Sequence, residues 1–562
     1  MRKSNLLALA MGAMLVMTGC SKKMGQFKAD YFTTNPNPLE VVGTSVPATV
    51  SGNIPAKFFK KNAEVTVTPV LVYAGTESTS APVAFQGEKV RGNASVINYN
   101  RGGNMTIPVN FAYTPDMMKS ELYLNFDVKQ GKKQYVLPRV KVADGVIATA
   151  ALADAGSVNP ALAPDKFQRI INEKYKADIL FLINVANLRE NQLNSDAMKA
   201  WNEAVRNANA DTSRVIEELN ISSFASPDGP YAFNTQLAEK REKNTKGYLE
   251  KTLAKENITE FGELTAQFTP EDWEGFQKLV EASNIQDKDL ILSVLKMYKD
   301  PEVRDREIRN MSNVFDELAK TILPQLRYSR LTASINVIGK SDAEINQYFN
   351  TNPSALNVDE LLYAATLTED NGRKMKIYEA ATRIYPQDFR GFNNLGMTQY
   401  IAKNYAAAQK SFQQAAKLAP QSAEAQMNLG LVSLLNQDYA AANRSFGNAG
   451  GLKELNDALG VFYLKQGDAA AAVKAFGDSK SNNAALSQIL TKDYSKAKNT
   501  LSAVKNPDAT TYYLMAILGA RTNNSQMLSS NLAQAIKLDN SFAKIAANDL
   551  EFAKFNISNL VK

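Results

Sequence analysis

Three textures of apolar patterning follow one another along the chain. From about residue 38 to 148, apolar and polar positions alternate: Glu64 to Tyr73, Met105 to Phe111 and Glu121 to Val128 all do so. Period two is the signature of strands with one buried face. Arg101-Gly102-Gly103-Asn104 and Gln130-Gly131-Lys132 read as the turns between them. The prediction for 38–148 is an antiparallel β-sandwich. Residues 149–164, rich in alanine and holding Gly156, Pro160 and Pro164, read as a linker.

The middle of the chain mixes periods. Asp178 to Val185 is a near-continuous apolar run, as expected of a strand covered on both faces. Met198, Trp201 and Val205 share one side of a following helix, Leu219 to Phe224 is a second strand, and 233–254 is a charged amphipathic helix. This β-α-β-α order predicts a mixed α/β domain over 165–340. Thr269-Pro270-Glu271-Asp272 has the chemistry of a helix start, and Trp273, Phe276 and Val280 continue it as an apolar stripe. A helical insertion over about 269–326 is therefore expected before a last strand at Tyr328 to Ile338, where Leu331, Ala333, Ile335 and Val337 alternate.

The last third repeats itself. Tyr378, Phe412 and Phe446 are 34 residues apart, as are Ala381, Ala415 and Ala449. Leu395-Gly396 recurs at Leu429-Gly430 and Leu459-Gly460, and Ala408, Ala442 and Ala472 stand four residues before Phe412, Phe446 and Phe476. This pattern resembles the tetratricopeptide repeat, with about six units over 354–545. The resemblance implies an all-α superhelix over 350–562 whose concave groove takes extended or helical peptides, here from envelope proteins.

The N-terminus adds a location. Met1-Arg2-Lys3-Ser4 and a short apolar run lead to Leu15-Val16-Met17-Thr18-Gly19-Cys20, which resembles a bacterial lipobox. It implies a signal peptide over 1–19, lipidation of Cys20 and a lipidated tether over 20–37. No acid follows Cys20 directly, so the expected place is the outer membrane, lipid-anchored, on its periplasmic face. Cys20 is the only cysteine among 562 residues, and there is no histidine. Intramolecular disulfides, histidine-based triads and histidine metal sites are thereby excluded. The net charge of +7 is a mild excess for this length, and the charges of 239–256 alternate in sign, which is no nucleic-acid stripe.

Residues 222–248 carry the remaining motif. Gly229, Asn234, Leu237 and Arg241 stand in a spacing that resembles the OmpA-like peptidoglycan-associated domain. That resemblance implies peptidoglycan as a candidate ligand, with Arg241 taking a stem-peptide carboxylate through paired hydrogen bonds. The family's ligand acid falls on Ser226, and Asp228 is the nearest carboxylate able to replace it. Ser226, Asp228, Asn234 and Arg241 are the candidate site. The alternative is structural, with Asp228 capping its loop and Arg241 paired to Glu239 or Glu242. No catalytic acid pair, metal site or cofactor motif is expected. Two functions follow: a non-enzymatic outer-membrane lipoprotein tethering the envelope to peptidoglycan while scaffolding protein partners, or a scaffold subunit of an outer-membrane assembly or secretion machine that does not touch the wall.

Overall fold

The computed structural model describes residues 23–285 and 287–561, so the expected signal peptide and Cys20 lie outside the described residues. The chain divides into two compact units. One combines the residues up to 164 with 370–562, and the other is 165–369.

The N-terminal part of the first unit is a two-sheet sandwich. Strands Phe32–Asn35, Ser45–Ile54 and Gly103–Ala112 form one sheet; Lys133–Asp144, Ser120–Gln130, Ala63–Tyr73, Val83–Gly87 and Ser95–Ile97 follow in that order in the other. The alternation read from sequence puts Val46, Val50 and Ile107 of one sheet into a common core with Val65, Val67, Leu124 and Phe126 of the other. The pairing is antiparallel except between Val83–Gly87 and Ser95–Ile97 and between Leu39–Glu40 and Val146–Ile147. The expected tether over 20–37 needs correction. Met24 and Phe27 are buried, and Phe27 stacks on Phe126 at 4.2 Å. An aromatic this close to a core surface gains more from burial than it loses in chain entropy.

In the second unit, strands Ile170–Leu180, Tyr328–Ile338, Arg214–Phe224 and Glu263–Thr269 lie in that spatial order, the last pair parallel. Helices Asp196–Ala210 and Tyr231–Lys255 cover one face, with Met198, Trp201, Val205 and Leu249 packed on Ile179, Leu219, Ile221 and Leu331. Two expectations change. The first strand ends at Leu180, where its ladder with Tyr328–Ile338 ends, and Leu182 and Ile183 are 53% and 55% exposed. Apolar composition alone did not reveal that the hydrogen-bonding partner runs out. Glu263–Thr269 is a short edge strand, so Thr269 closes a strand and the next helix, Trp273–Ala282, is capped by Asp272 through the Gly275 N–H at 2.8 Å. The insertion then adds helices Lys288–Met297, Pro301–Asn310 and Ser312–Thr321, with a small core of Phe276, Val280, Ile291 and Leu318. Helices Asp342–Thr351 and Val358–Ala364 also belong to this unit, so the division falls inside the region expected to be all repeats.

The first unit resumes with helix Asn371–Ile384 and then five helix pairs, from Phe389–Ile401 with Tyr405–Leu418 to Ala509–Arg521 with Ser525–Leu538. The second helices of the pairs begin on Asn404, Asp438, Asp468, Asp493 and Asn524, each side chain capping a backbone N–H. The paired Leu-Gly and Phe periods have one cause. A Cβ on Gly396, Gly430 or Gly460 would come within 2.5 to 2.6 Å of the ring of Phe412, Phe446 or Phe476. Each glycine lets a phenylalanine of the partner helix lie against the backbone. The helix pairs and their shared packing period make this a helical repeat array, as the tetratricopeptide-like spacing implied.

Its C-terminal end holds a buried acid. Asp549 accepts a hydrogen bond from Tyr513 at 2.6 Å, and burial pushes its carboxyl up to about 6. A raised native pKa means that the folded state takes up a proton more readily than the unfolded chain, so this group's contribution to stability is present at low pH and lost as pH rises through about 6. Two outcomes follow. Gly430→Ala is expected to destabilise the array by roughly 1–3 kcal/mol in urea titrations, because the ring of Phe446 must move. Between about pH 4 and pH 6 the wild type should gain stability over Asp549→Asn as pH falls, by on the order of 2–3 kcal/mol. Parallel melting curves of the two proteins read that difference.

Candidate functional site

One side chain of the first helix in a pair keeps a constant distance from the packing residues of the second. Asn394, Asn428 and Asn483 stand eighteen residues before Phe412, Phe446 and Leu501, and fourteen before Ala408, Ala442 and Ala497. The interval places them on the same helical face, and that face holds residues 149–164. The stretch read as a linker is a strap packed along the array.

The geometry is one of paired amides. Asn428 accepts from the Ala161 N–H and donates to the Ala161 carbonyl, both at 2.7 Å. Asn394 does the same to Ala163, at 2.9 Å each way. Asn483 takes the N–H of Asp154 at 2.9 Å and returns a hydrogen bond to its carbonyl at 2.8 Å. Asn393 donates to the Ala161 carbonyl and accepts from Asn428, which fixes the amide orientation of both. Tyr400 donates to the Ala155 carbonyl at 2.7 Å, and burial holds its hydroxyl far above the usual tyrosine range, so it remains a donor. A primary amide has one donor edge and one acceptor edge, so a single asparagine can satisfy both polar groups of one residue as a neighbouring strand would.

The strap's side chains suit the space. Ala153, Ala155, Val158, Ala161 and Ala163 are all buried, with Ala161 and Ala163 at 1% exposure. Small residues let the backbone approach the helices closely enough for the asparagines to reach it. Thr149 donates to Glu551, which also receives the Arg521 guanidinium, so the strap's first turn is fixed to the end of the array. The asparagines stand outside the apolar and small-residue periods that mark the helix packing, so the sequence pattern did not single them out. The signal was present as the residue before Leu395-Gly396 and Leu429-Gly430, with Ala458 interrupting it before Leu459-Gly460.

The structure brings Ser226, Asp228, Asn234 and Arg241 to one corner of the second unit, but does not leave them open. Arg241 is fully buried. Its Nε, Nη1 and Nη2 donate to the carbonyls of Val185, Phe224 and Leu182 at 3.1, 2.8 and 3.2 Å, with the guanidinium over the Phe181 ring. Burial lowers its pKa to about 10, with the charge of Arg327 acting in the same direction, so it is still cationic at neutral pH. The expected alternative partners are not used: Glu239 pairs with Lys243. Asp228 accepts from Ser226 at 2.5 Å and pairs with Arg327 at 2.9 Å, while Arg309 donates to its carbonyl. Asn234 donates to the carbonyls of Ser226 and Gly229 and to Glu271, whose carboxyl burial pushes upward. Arg309 and Glu271 come from the insertion and Arg327 from the turn after it, so that segment closes over the loop. Among the described residues, no group of acids, histidines or cysteines is placed to hold a metal ion.

No family model matches this chain, and no curated protein matches it. Several solved structures are similar in part. A tetratricopeptide repeat protein from Parabacteroides merdae is 12% identical, covering 37% of this chain and 91% of its own, with a TM-score of 0.30. Pseudomonas aeruginosa PilF is 14% identical over 39% of this chain and 100% of its own, at 0.29. YrrB, a tetratricopeptide repeat protein with an unusual peptide-binding site, is 15% identical over 38% of this chain and 100% of its own, at 0.21. The repeat assignment for this chain rests on its 34-residue packing period and its helix pairs.

Removing one asparagine tests the strap. Asn428→Ala leaves the Ala161 N–H without its partner and the carbonyl with one fewer donor, at a cost of about 2–4 kcal/mol. Hydrogen exchange at Ala161 and Ala163 is expected to accelerate at least tenfold, while the sandwich strands keep their protection. Asn428→Asp should behave similarly, since it keeps the acceptor but sets a carboxylate against the Ala161 carbonyl.

Proposed function

We propose that the protein is a non-enzymatic scaffold of the bacterial envelope, held to the outer membrane by a lipid on Cys20. The observation that carries the scaffold part is the asparagine-clamped strap. It lays the protein's own chain along the first helices of the repeats and makes the sandwich, strap and repeats one preassembled body, suited to holding partners in fixed relation. Peptide capture along that helical face is then no longer the simplest use of the array. Partners are expected on its remaining surfaces, among envelope proteins, and the role fits a subunit of an assembly or secretion machine.

The second reading is attachment to peptidoglycan through the second unit. It is favoured by Gly229, Asn234 and Arg241 keeping the spacing of the OmpA-like motif and lying in one corner. It is opposed by Ser226 in the position of the acid and by the saturation of Arg241 with backbone carbonyls, since a ligand carboxylate would have to displace three hydrogen bonds.

Two experiments test these readings. Cys20→Ser is expected to abolish incorporation of labelled fatty acid and to move the protein from membranes to the soluble fraction; unchanged fractionation would refute the anchor. Purified sacculi mixed with the full chain should leave it in the supernatant. Retention that falls in Asp228→Asn and Arg241→Lys, with circular dichroism unchanged, would establish the wall-binding reading instead.

A further inference from the structure

The first described residues do not hang from the sandwich. The Met24 N–H donates to the Tyr135 hydroxyl at 3.1 Å, Lys23 lies over the same ring at 5.4 Å, and Phe27 packs on Phe58 at 4.9 Å. Three residues lie between Cys20 and Met24, and the four residue steps reach at most about 14 Å when fully extended. If Cys20 sits at a lipid surface, this end of the sandwich is held against that surface.

The same end gathers positive charge from loops far apart in sequence. The hairpin joining Ser120–Gln130 to Lys133–Asp144 carries Lys129, Lys132 and Lys133, all exposed. Gln130 is paired in register with Ala63 and donates to Asn62, which places the loop of Lys57, Lys60 and Lys61 beside it. Lys60 and Lys61 both stand over Tyr99, 5.5 Å from the ring centre. Backbone hydrogen bonds from Lys57 to Tyr99 and from Lys89 to Lys61 bring in the loops of Arg101 and Arg91. The acids here are Glu88, 3.6 Å from Lys61, Glu64, paired in register with Lys129, Asp127, which lines one surface hollow with Glu64 and Lys129, and Asp30 near the N-terminal strand, and the lysines and arginines outnumber them. At the opposite end of the sandwich the charges are mixed, with Lys141 between Glu121 and Asp144.

We infer that the lysine-bearing end of the sandwich is a membrane-contact face that docks on anionic phospholipid headgroups of the leaflet holding the anchor. The inference rests on the reading of Cys20 as the lipidated residue, and the charge complementarity is its physical basis. Lysines are attracted to an anionic surface within a screening distance of about 10 Å, and the short chain keeps this end of the sandwich close to such a surface. The anchor localises the protein, and the face fixes its orientation.

The test uses residues 20–562 carrying Cys20→Ser, which removes the lipid and leaves only the face. This chain is expected to sediment with vesicles of about 30% phosphatidylglycerol in phosphatidylcholine, to bind phosphatidylcholine alone at least tenfold more weakly, and to be released by about 0.5 M salt. Changing Lys57, Lys60, Lys61, Lys129, Lys132 and Lys133 to Gln should cost at least tenfold in affinity. The same change at Lys410, Lys417, Lys474, Lys496, Lys498 and Lys537 of the repeats should cost less than about twofold. Lys129→Gln with Lys132→Gln and Lys133→Gln, confined to an exposed turn, gives the answer if the six-site variant does not fold. Equal losses from both sets, no preference for anionic vesicles, or binding of a soluble polyanion without vesicle binding would overturn the inference. Mass analysis of native Cys20 separately decides whether the lipid is present.

Discussion

A peptide group removed from water must find a hydrogen-bond partner, and much of this protein follows from how that demand is met. Among the described residues no strand pairs with 149–164, yet several of these residues are fully buried. Asn394, Asn428 and Asn483 supply the missing ladder one residue at a time, each from the first helix of a different pair. Because the helices are spaced by packing, the asparagines are spaced as well, and the strap is held at intervals set by the repeat. At Asn394 and Asn428 the glycine two residues on, Gly396 or Gly430, admits the phenylalanine that spaces the helices, so packing and strap grip share one period there.

The same demand explains the second unit's arginine. Strand Ile170–Leu180 has ended before Leu182 and Val185, and Phe224 is the last residue of its own strand. Their carbonyls converge on one guanidinium whose donors point to all three. A fork of fixed geometry does this better than a single ammonium could. Side chains whose spacing resembles a ligand-binding motif thus hold together the corner from which a ligand would be bound, while Arg327 neutralises Asp228.

The two units differ in how openly their sequences announce them. Alternation made the sandwich legible because each sheet has one dry face, and the 34-residue period made the array legible because packing positions recur. The insertion's helices were legible from Trp273, Phe276 and Val280, but its closure over Ser226 and Asp228 was not, since Arg309 and Glu271 look like surface charges in sequence. The edge strand Glu263–Thr269 was missed for a related reason: it is half exposed and carries little apolar contrast.

By itself the sequence determined the strands of the sandwich, the helix pairs and the absence of histidine chemistry, because these depend on local periodicity and composition. Tertiary structure decided what the polar residues and the alanine-rich segment do. An asparagine before Leu-Gly is unremarkable until Ala161 lies across it, and a run of small residues reads as a linker until helices pack along it. Hydrogen-bond partners separated by more than two hundred residues leave no periodic trace in the chain, and only folding brings them within 3 Å.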